Sequence, residues 1–172
     1  MSIVVHKIIE ANAYLDGNTQ AGRVEEAKLP TIENDMQEHD ALGMAFTVSL
    51  PGKFKDMEVE MTWNSVYPEA ETKILRPYQT TPLQLRSNVR RYGAGGLIEE
   101  VPLVTFINVQ FYSHELGSLN MKDALKRPVK GKVMSLRQVL NGREVLFADP
   151  WNNVFSVDGV DYQAKMRSNI GV

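Results

Sequence analysis

Catalysis near neutral pH needs titratable or nucleophilic side chains held together, and this chain offers few: three histidines and no cysteine. His6, His39 and His114 are scattered, with no pair at the i, i+4 spacing that puts two imidazoles on one helical face for zinc. Without cysteine there is no disulfide framework, no thiolate nucleophile and no cysteine-based metal site. Asp35, Glu38 and Asp40 are hard-cation donors by type. They lack the Asp-x-Asx-x-Asx-Gly loop with its distal glutamate, so a solvated acidic loop is expected. Gly93-Ala94-Gly95-Gly96 follows a strand pattern, opens no helix and has no Lys-Ser/Thr partner, which argues against a phosphate cradle. Glu58 and Glu60 are two apart, as neighbours on one strand face, and no His or Lys is visibly arranged with them as an acid–base set. No serine sits in a Gly-x-Ser-x-Gly elbow. Neither a catalytic residue nor a cofactor or metal site is therefore expected.

The elements that carry these residues are mostly strands. Met57, Val59, Met61 and Trp63 alternate with Glu58, Glu60 and Thr62, the period-two pattern of a half-buried strand. Phe46, Val48 and Leu50 alternate with Thr47 and Ser49, and Pro51-Gly52 between the two segments predicts a hairpin. Leu83, Leu85 and Val89 alternate with Gln84, Arg86, Asn88 and Arg90. The run from Leu103 to Tyr112 is apolar on both sides, Val104 and Phe106 opposing Ile107, Val109 and Phe111, so cover is expected on both faces. Val109 and Phe111 are placed in the core or at a subunit boundary. Asn141-Gly142, between Val129–Leu140 and Arg143–Ala148, is the strongest hairpin signal, because a type I′ turn needs positive φ at both central positions. Asp158-Gly159 after Val154–Val157 is a second.

One helix is predicted over Val66 to Leu75, with Ser65 as cap, Pro68 in the first turn, Glu69 and Glu71 near its positive end and Pro77 as its stop. A short helix is expected around Asp161 to Ser168, ending near Gly171. Asn34 to Gly43 reads as either a helical turn or a polar loop.

Composition narrows the function classes. At 172 residues, 43% hydrophobic, the chain is long enough for one core, and residues 1–172 read as a single, mainly β domain with a lateral helix. Its formal charge of -2 argues against tight phosphate binding. No stretch approaches the roughly 20 apolar residues of a membrane span. The N-terminal apolar run is broken by His6 and Lys7 without a cleavage site, so synthesis in the cytoplasm without a membrane anchor is expected.

Order and spacing carry one further signal. Asn12-Ala-Tyr-Leu-Asp-Gly17, Ala21-Gly-Arg-Val24, Lys28-Leu-Pro30, Asp56-Met-Glu-Val-Glu-Met61, Val101-Pro-Leu-Val104, Asn141-Gly-Arg-Glu-Val145, Asp149-Pro150, Val157-Asp-Gly-Val-Asp161 and Met166-Arg167 with Gly171 run in a fixed order along the chain. That series resembles the major tail tube proteins of contractile phages, typified by phage P2 and the R-type pyocins. The chain departs from the pattern at Leu42-Gly43-Met44, where a paired glycine is expected.

The resemblance implies a small β-barrel or sandwich with a flanking helix. Hexameric rings would stack into a hollow tube, with strands from every subunit forming a continuous inner barrel. It implies no enzymatic activity and no cofactor. The implied partners are further copies of the chain, the sheath, a tape-measure protein in the lumen, and baseplate and terminator proteins, with DNA passing through without sequence-specific binding. The implied location is the virion, after assembly in the host cytoplasm. If the apolar strand faces enter the core, the pleat turns Thr47, Ser49, Glu58, Glu60, Thr62, Gln84, Arg86, Asn88 and Arg90 to the lumen, where the glutamates would repel phosphates. A tube of a bacteriocin or secretion apparatus is one alternative reading. A monomeric β-sandwich binding module is the other, but it calls for clustered exposed aromatics, whereas Trp63 and Trp151 sit in strand-core and turn contexts.

Overall fold

The computed structural model describes residues 3–119 and 124–172. Its frame is four long antiparallel strands, β1 (Val5–Leu15), β7 (Thr81–Gly93), β8 (Gly96–His114) and β9 (Arg127–Leu140), lying in the order β9-β8-β7-β1. Short strands extend this sheet at both sides. β2 (Asn18–Thr19) folds back on the end of β1, while β10 (Arg143–Asp149), β11 (Val154–Val157) and β12 (Val160–Asp161) follow β9. Beyond the reach of β10, the first half of β9 pairs instead with β6 (Glu58–Trp63), which in turn pairs with β3 (Val24–Lys28). The sheet thus branches at β9 and does not close on itself.

Turn chemistry sets the hairpin registers. Asn141-Gly142 and Asp158-Gly159 both have positive φ at their two central positions, as type I′ turns require. Asp16-Gly17 makes the same turn between β1 and β2, so a third Asx-Gly pair carried the same signal. Gly93 pairs with Gly96 to close the β7–β8 hairpin, and β8 follows directly.

The predicted hairpin between Phe46–Leu50 and Met57–Trp63 does not form. Pro51 and Gly52 lie inside β5 (Val48–Phe54), which pairs only with β4 (Asn34–His39) in a separate two-stranded sheet. Pro51 is tolerated because β5 has a free outer edge that needs no N–H donor there. Gly52 serves close approach, since a Cβ on it would come within 2.7 Å of the Asp35 carbonyl, beside a register shift between Asn34 and Met36. Asn34–His39, open between helix and loop on sequence alone, is the strand that takes the partner role expected of β6.

Met57, Val59, Met61 and Trp63 are all buried, joined by Leu83, Leu85, Ile107, Val109, Phe111, Val129, Val133 and Leu136 from the facing strands. The helix α1 (Pro68–Ile74) covers this core with Ala70 and Ile74. Pro68 begins it in the one position where a missing N–H costs nothing, and Tyr67 takes the cap position without a side-chain hydrogen bond, so Ser65 is not the cap. Gly131 lets β9 approach β8 closely, for a Cβ there would lie 2.2 Å from Val109 Cγ1. A second helix, α2 (Ala164–Ile170), ends in left-handed Gly171 and buries none of its side chains. No helix is long and apolar enough to cross a membrane among the described residues.

Candidate functional site

One face of the long sheet packs on the core, and the pleat sends every alternate side chain to the other. Glu58, Glu60 and Thr62 of β6 stand opposite Lys132, Lys130 and Pro128 of β9. Gln84, Arg86, Asn88 and Arg90 of β7 stand opposite Phe106, Val104, Pro102 and Glu100 of β8. Lys132 also pairs with Gln110 of β8, so both groups belong to one continuous face. Thr47 and Ser49 do not join it. Ser49 faces Glu38 in the detached β4–β5 hairpin and Thr47 precedes β5, because the predicted β5–β6 pairing is absent.

The charges of this face are largely satisfied within the subunit. Lys132 Nζ lies 2.9 Å from Glu58 and 2.7 Å from Asp56, Lys130 lies 3.9 Å from Glu60, and Arg137 donates to Glu144 at 2.7 Å. Tyr112 Oη donates to Glu58 at 2.7 Å. Hydrogen bonds from Tyr112 and then Lys132 hold the Glu58 carboxyl below its usual range, while Asp56 and Glu58 raise Lys132. Asn88 and Arg90 both donate to Glu100, lowering its pKa in that order of importance. Glu58 thus has Tyr112 and Lys132 beside it, and Glu60 has Lys130 at the limit of an ion pair. Arg86 differs: its Nε donates to Gln84 at 3.1 Å, its guanidinium lies 4.8 Å from the Tyr14 ring centre, and no carboxylate pairs with it among the described residues.

Sequence reasoning missed the lysines. Val129-Lys-Gly-Lys-Val133 alternates with the same period as the glutamate strand, and that matched alternation was the available signal. It also missed the cluster formed by Glu71 of α1, His114 at the end of β8 and Arg127 at the start of β9, whose side chains converge from three elements.

Val109 and Phe111 lie in the core, while on the opposite side of the same strand Phe106 is open to solvent in the isolated subunit. His6, His39 and His114 lie on β1, β4 and β8, and no group of three or more His, Cys, Asp or Glu fit to hold a metal occurs among the described residues. A shallow groove of about 300 Å³ crosses the polar face between Tyr14, Phe106, Arg137 and Phe147, and no acid–base pair lines it. Two features are left open in the subunit. Beyond Ala13, whose carbonyl accepts from Gln20 N, the outer edge of β1 has no partner strand over residues 5–12 among the described residues, and the β4–β5 hairpin, whose Phe54 ring packs on Phe155, exposes Leu42, Met44 and Phe46 at its tip.

A one-sided core, a long polar sheet face with self-paired charges, and an open strand edge define a structural building block. The model of the phage tail tube protein FII family matches residues 5–171, and the chain belongs to that family. It is a structural subunit of a tail tube. Its fold is similar to a chain in the cryo-EM structure of an extracellular contractile injection system, the PVC sheath/tube terminator in the extended state, with a TM-score of 0.50, 11% identity, and 76% of this chain and 91% of that chain covered. It is equally similar to a chain of the PVC sheath-tube complex in the extended state, with a TM-score of 0.50, 10% identity, and 76% and 86% covered. At such identities the likeness is one of fold alone. No curated protein matches the chain.

Proposed function

We propose that residues 1–172 act as one tail tube domain that assembles into hexameric rings, stacked head to tail as the inner conduit of a contractile phage tail. The family membership over residues 5–171 carries this reading. The physical support is the unpaired outer edge of β1, which exposes backbone donors and acceptors that another copy can take up, as closure of a ring would do. Heterologous contacts between rings then give an open filament whose length other components must set.

In this reading the polar face, with Glu58, Glu60, Thr62, Gln84, Arg86, Asn88 and Arg90, lines the channel, and Val109 and Phe111 stay in the core behind it. Ion pairs such as Lys132–Glu58 and Arg90–Glu100 leave that face little net field, so DNA passes without sticking and without being read. The sheath, the tape-measure protein, the baseplate and the terminator are the expected partners, the virion is the destination after assembly in the host cytoplasm, and the protein performs no catalysis. Negative-stain microscopy and light scattering of the purified chain test the proposal. Rings or tubes of uniform bore are the expected result, and a monomer across concentrations and salts would overturn it.

A further inference from the structure

The end of the core beside α1 holds three side chains that the assembly reading does not use. Arg127 is 4% exposed, His114 8% and Glu71 18%. Arg127 spans the other two, its Nη1 donating to Glu71 Oε1 and its Nη2 lying 2.9 Å from His114 Nε2. A guanidinium only donates, so this contact requires a bare Nε2 and places the imidazole proton on Nδ1. That Nδ1 is itself buried without a partner. The bond between Arg127 and His114 therefore exists only while the ring is neutral.

Protonation reverses it. With hydrogen on both nitrogens the ring presents N–H to N–H across 2.9 Å and adds a second positive charge in a largely buried site. Glu71 Oε2, 3.4 Å from Nε2, is the only carboxylate oxygen paired with the ring among the described residues, and Glu71 already balances Arg127 through its other oxygen. No other charge faces His114 from the surrounding elements among the described residues. Lys126, before β9, turns to Glu25 of β3, and Glu69 of α1 to Arg23.

We propose that Glu71, His114 and Arg127 form an acid-sensitive tie that fastens α1 to the ends of β8 and β9 and loosens when His114 takes up a proton. The β1–β7 and β7–β8 ladders include neither His114 nor Arg127, the β7–β8 ladder ending at Thr81 and Val109, so from Pro82 onward β7 is held by backbone bonds outside the cluster. Burial, reinforced by Arg127 and opposed by Glu71, holds the His114 pKa below its usual 6.5. For a depressed histidine the stabilisation is complete above the unfolded value, about 6.5, and is lost as pH falls below it, where the unfolded chain binds the proton more readily.

Amide hydrogen exchange of the full-length subunit between pH 7.5 and 5, corrected for intrinsic rates, tests the tie. Exchange across α1 should rise at least ~10-fold at the acid end, with β7 little changed, and the rise should vanish in His114→Gln, whose side-chain oxygen accepts from Arg127 without titrating. An equal rise in His114→Gln, or no rise in the wild type, would overturn the proposal. If that variant fails to fold, NMR titration of the wild-type imidazole decides. A His114 midpoint below 6.5 that coincides with loosening of α1 supports the tie, and a midpoint at or above 6.5 refutes it.

Discussion

Two regions of this molecule share one sequence pattern and end in opposite environments. In β6, alternate apolar residues are sealed, with Val59 and Met61 at 0% exposure, because β3, β9 and α1 surround them. In the segment leading into β5 the alternation is as regular, yet Phe46 is 83% exposed and Leu42, at the tip of the same hairpin, lies wholly in solvent. Period two says that a strand has two unlike faces. It does not say whether the chain itself supplies the cover, and the proposed assembly assigns part of that cover to other copies.

The comparison breaks most readily on its closed side. Phe111→Asp places an unpaired charge behind β8 and should cost about 4 kcal/mol or more, abolishing cooperative unfolding in calorimetry along with any assembly. Gly131→Ala drives a methyl into Val109 and should cost about 1–3 kcal/mol, read as a lowered denaturation midpoint with an unchanged m-value. The open side should behave in the opposite way. Leu42→Asp with Phe46→Asp should change subunit stability by less than about 0.5 kcal/mol and yet reduce tube yield in microscopy, since both side chains are largely in solvent in the subunit.

The smallest effect concerns the polar face. Glu58 has a lowered pKa, so its contribution is present above the ordinary glutamate value of 4.5 and fades as pH falls through the depressed folded value. Glu58→Gln should leave stability near pH 7 almost unchanged, because the pair is exposed, and should flatten the acid limb of the stability profile below about pH 4.5.

Much of the fold was legible because local chemistry and tertiary environment agree there. Asn141-Gly142 and Asp158-Gly159 specify turns that few other dipeptides make, and the alternations of β6 and β7 match their burial residue by residue. The β5–β6 hairpin was misread because Pro-Gly is a turn signal in most settings. Here a free edge admits the proline and a close approach to Asp35 demands the glycine, and neither condition exists until β4 is in place. The candidate face was readable as a set of alternating residues on β6 and β7, and the structure joins them on one sheet. Its charge balance was not readable, because Lys130 and Lys132 lie some seventy residues from their partners in sequence and meet them only through the β6–β9 register, Glu58 Oε2 and Lys132 Nζ being 74 positions apart. The Glu71–His114–Arg127 cluster was hidden for the same reason.

In the proposed tube one face of the long sheet is finished by the subunit's own core and the other lines a channel completed by copies. A cryo-EM reconstruction of the assembled tube tests it most directly. Arg86, Arg90, Glu58 and Glu60 should lie on the channel wall, with the outer edge of β1 hydrogen-bonded to a neighbouring subunit. A map that puts those side chains on the outer surface or between rings, or leaves the β1 edge unpaired, would contradict it.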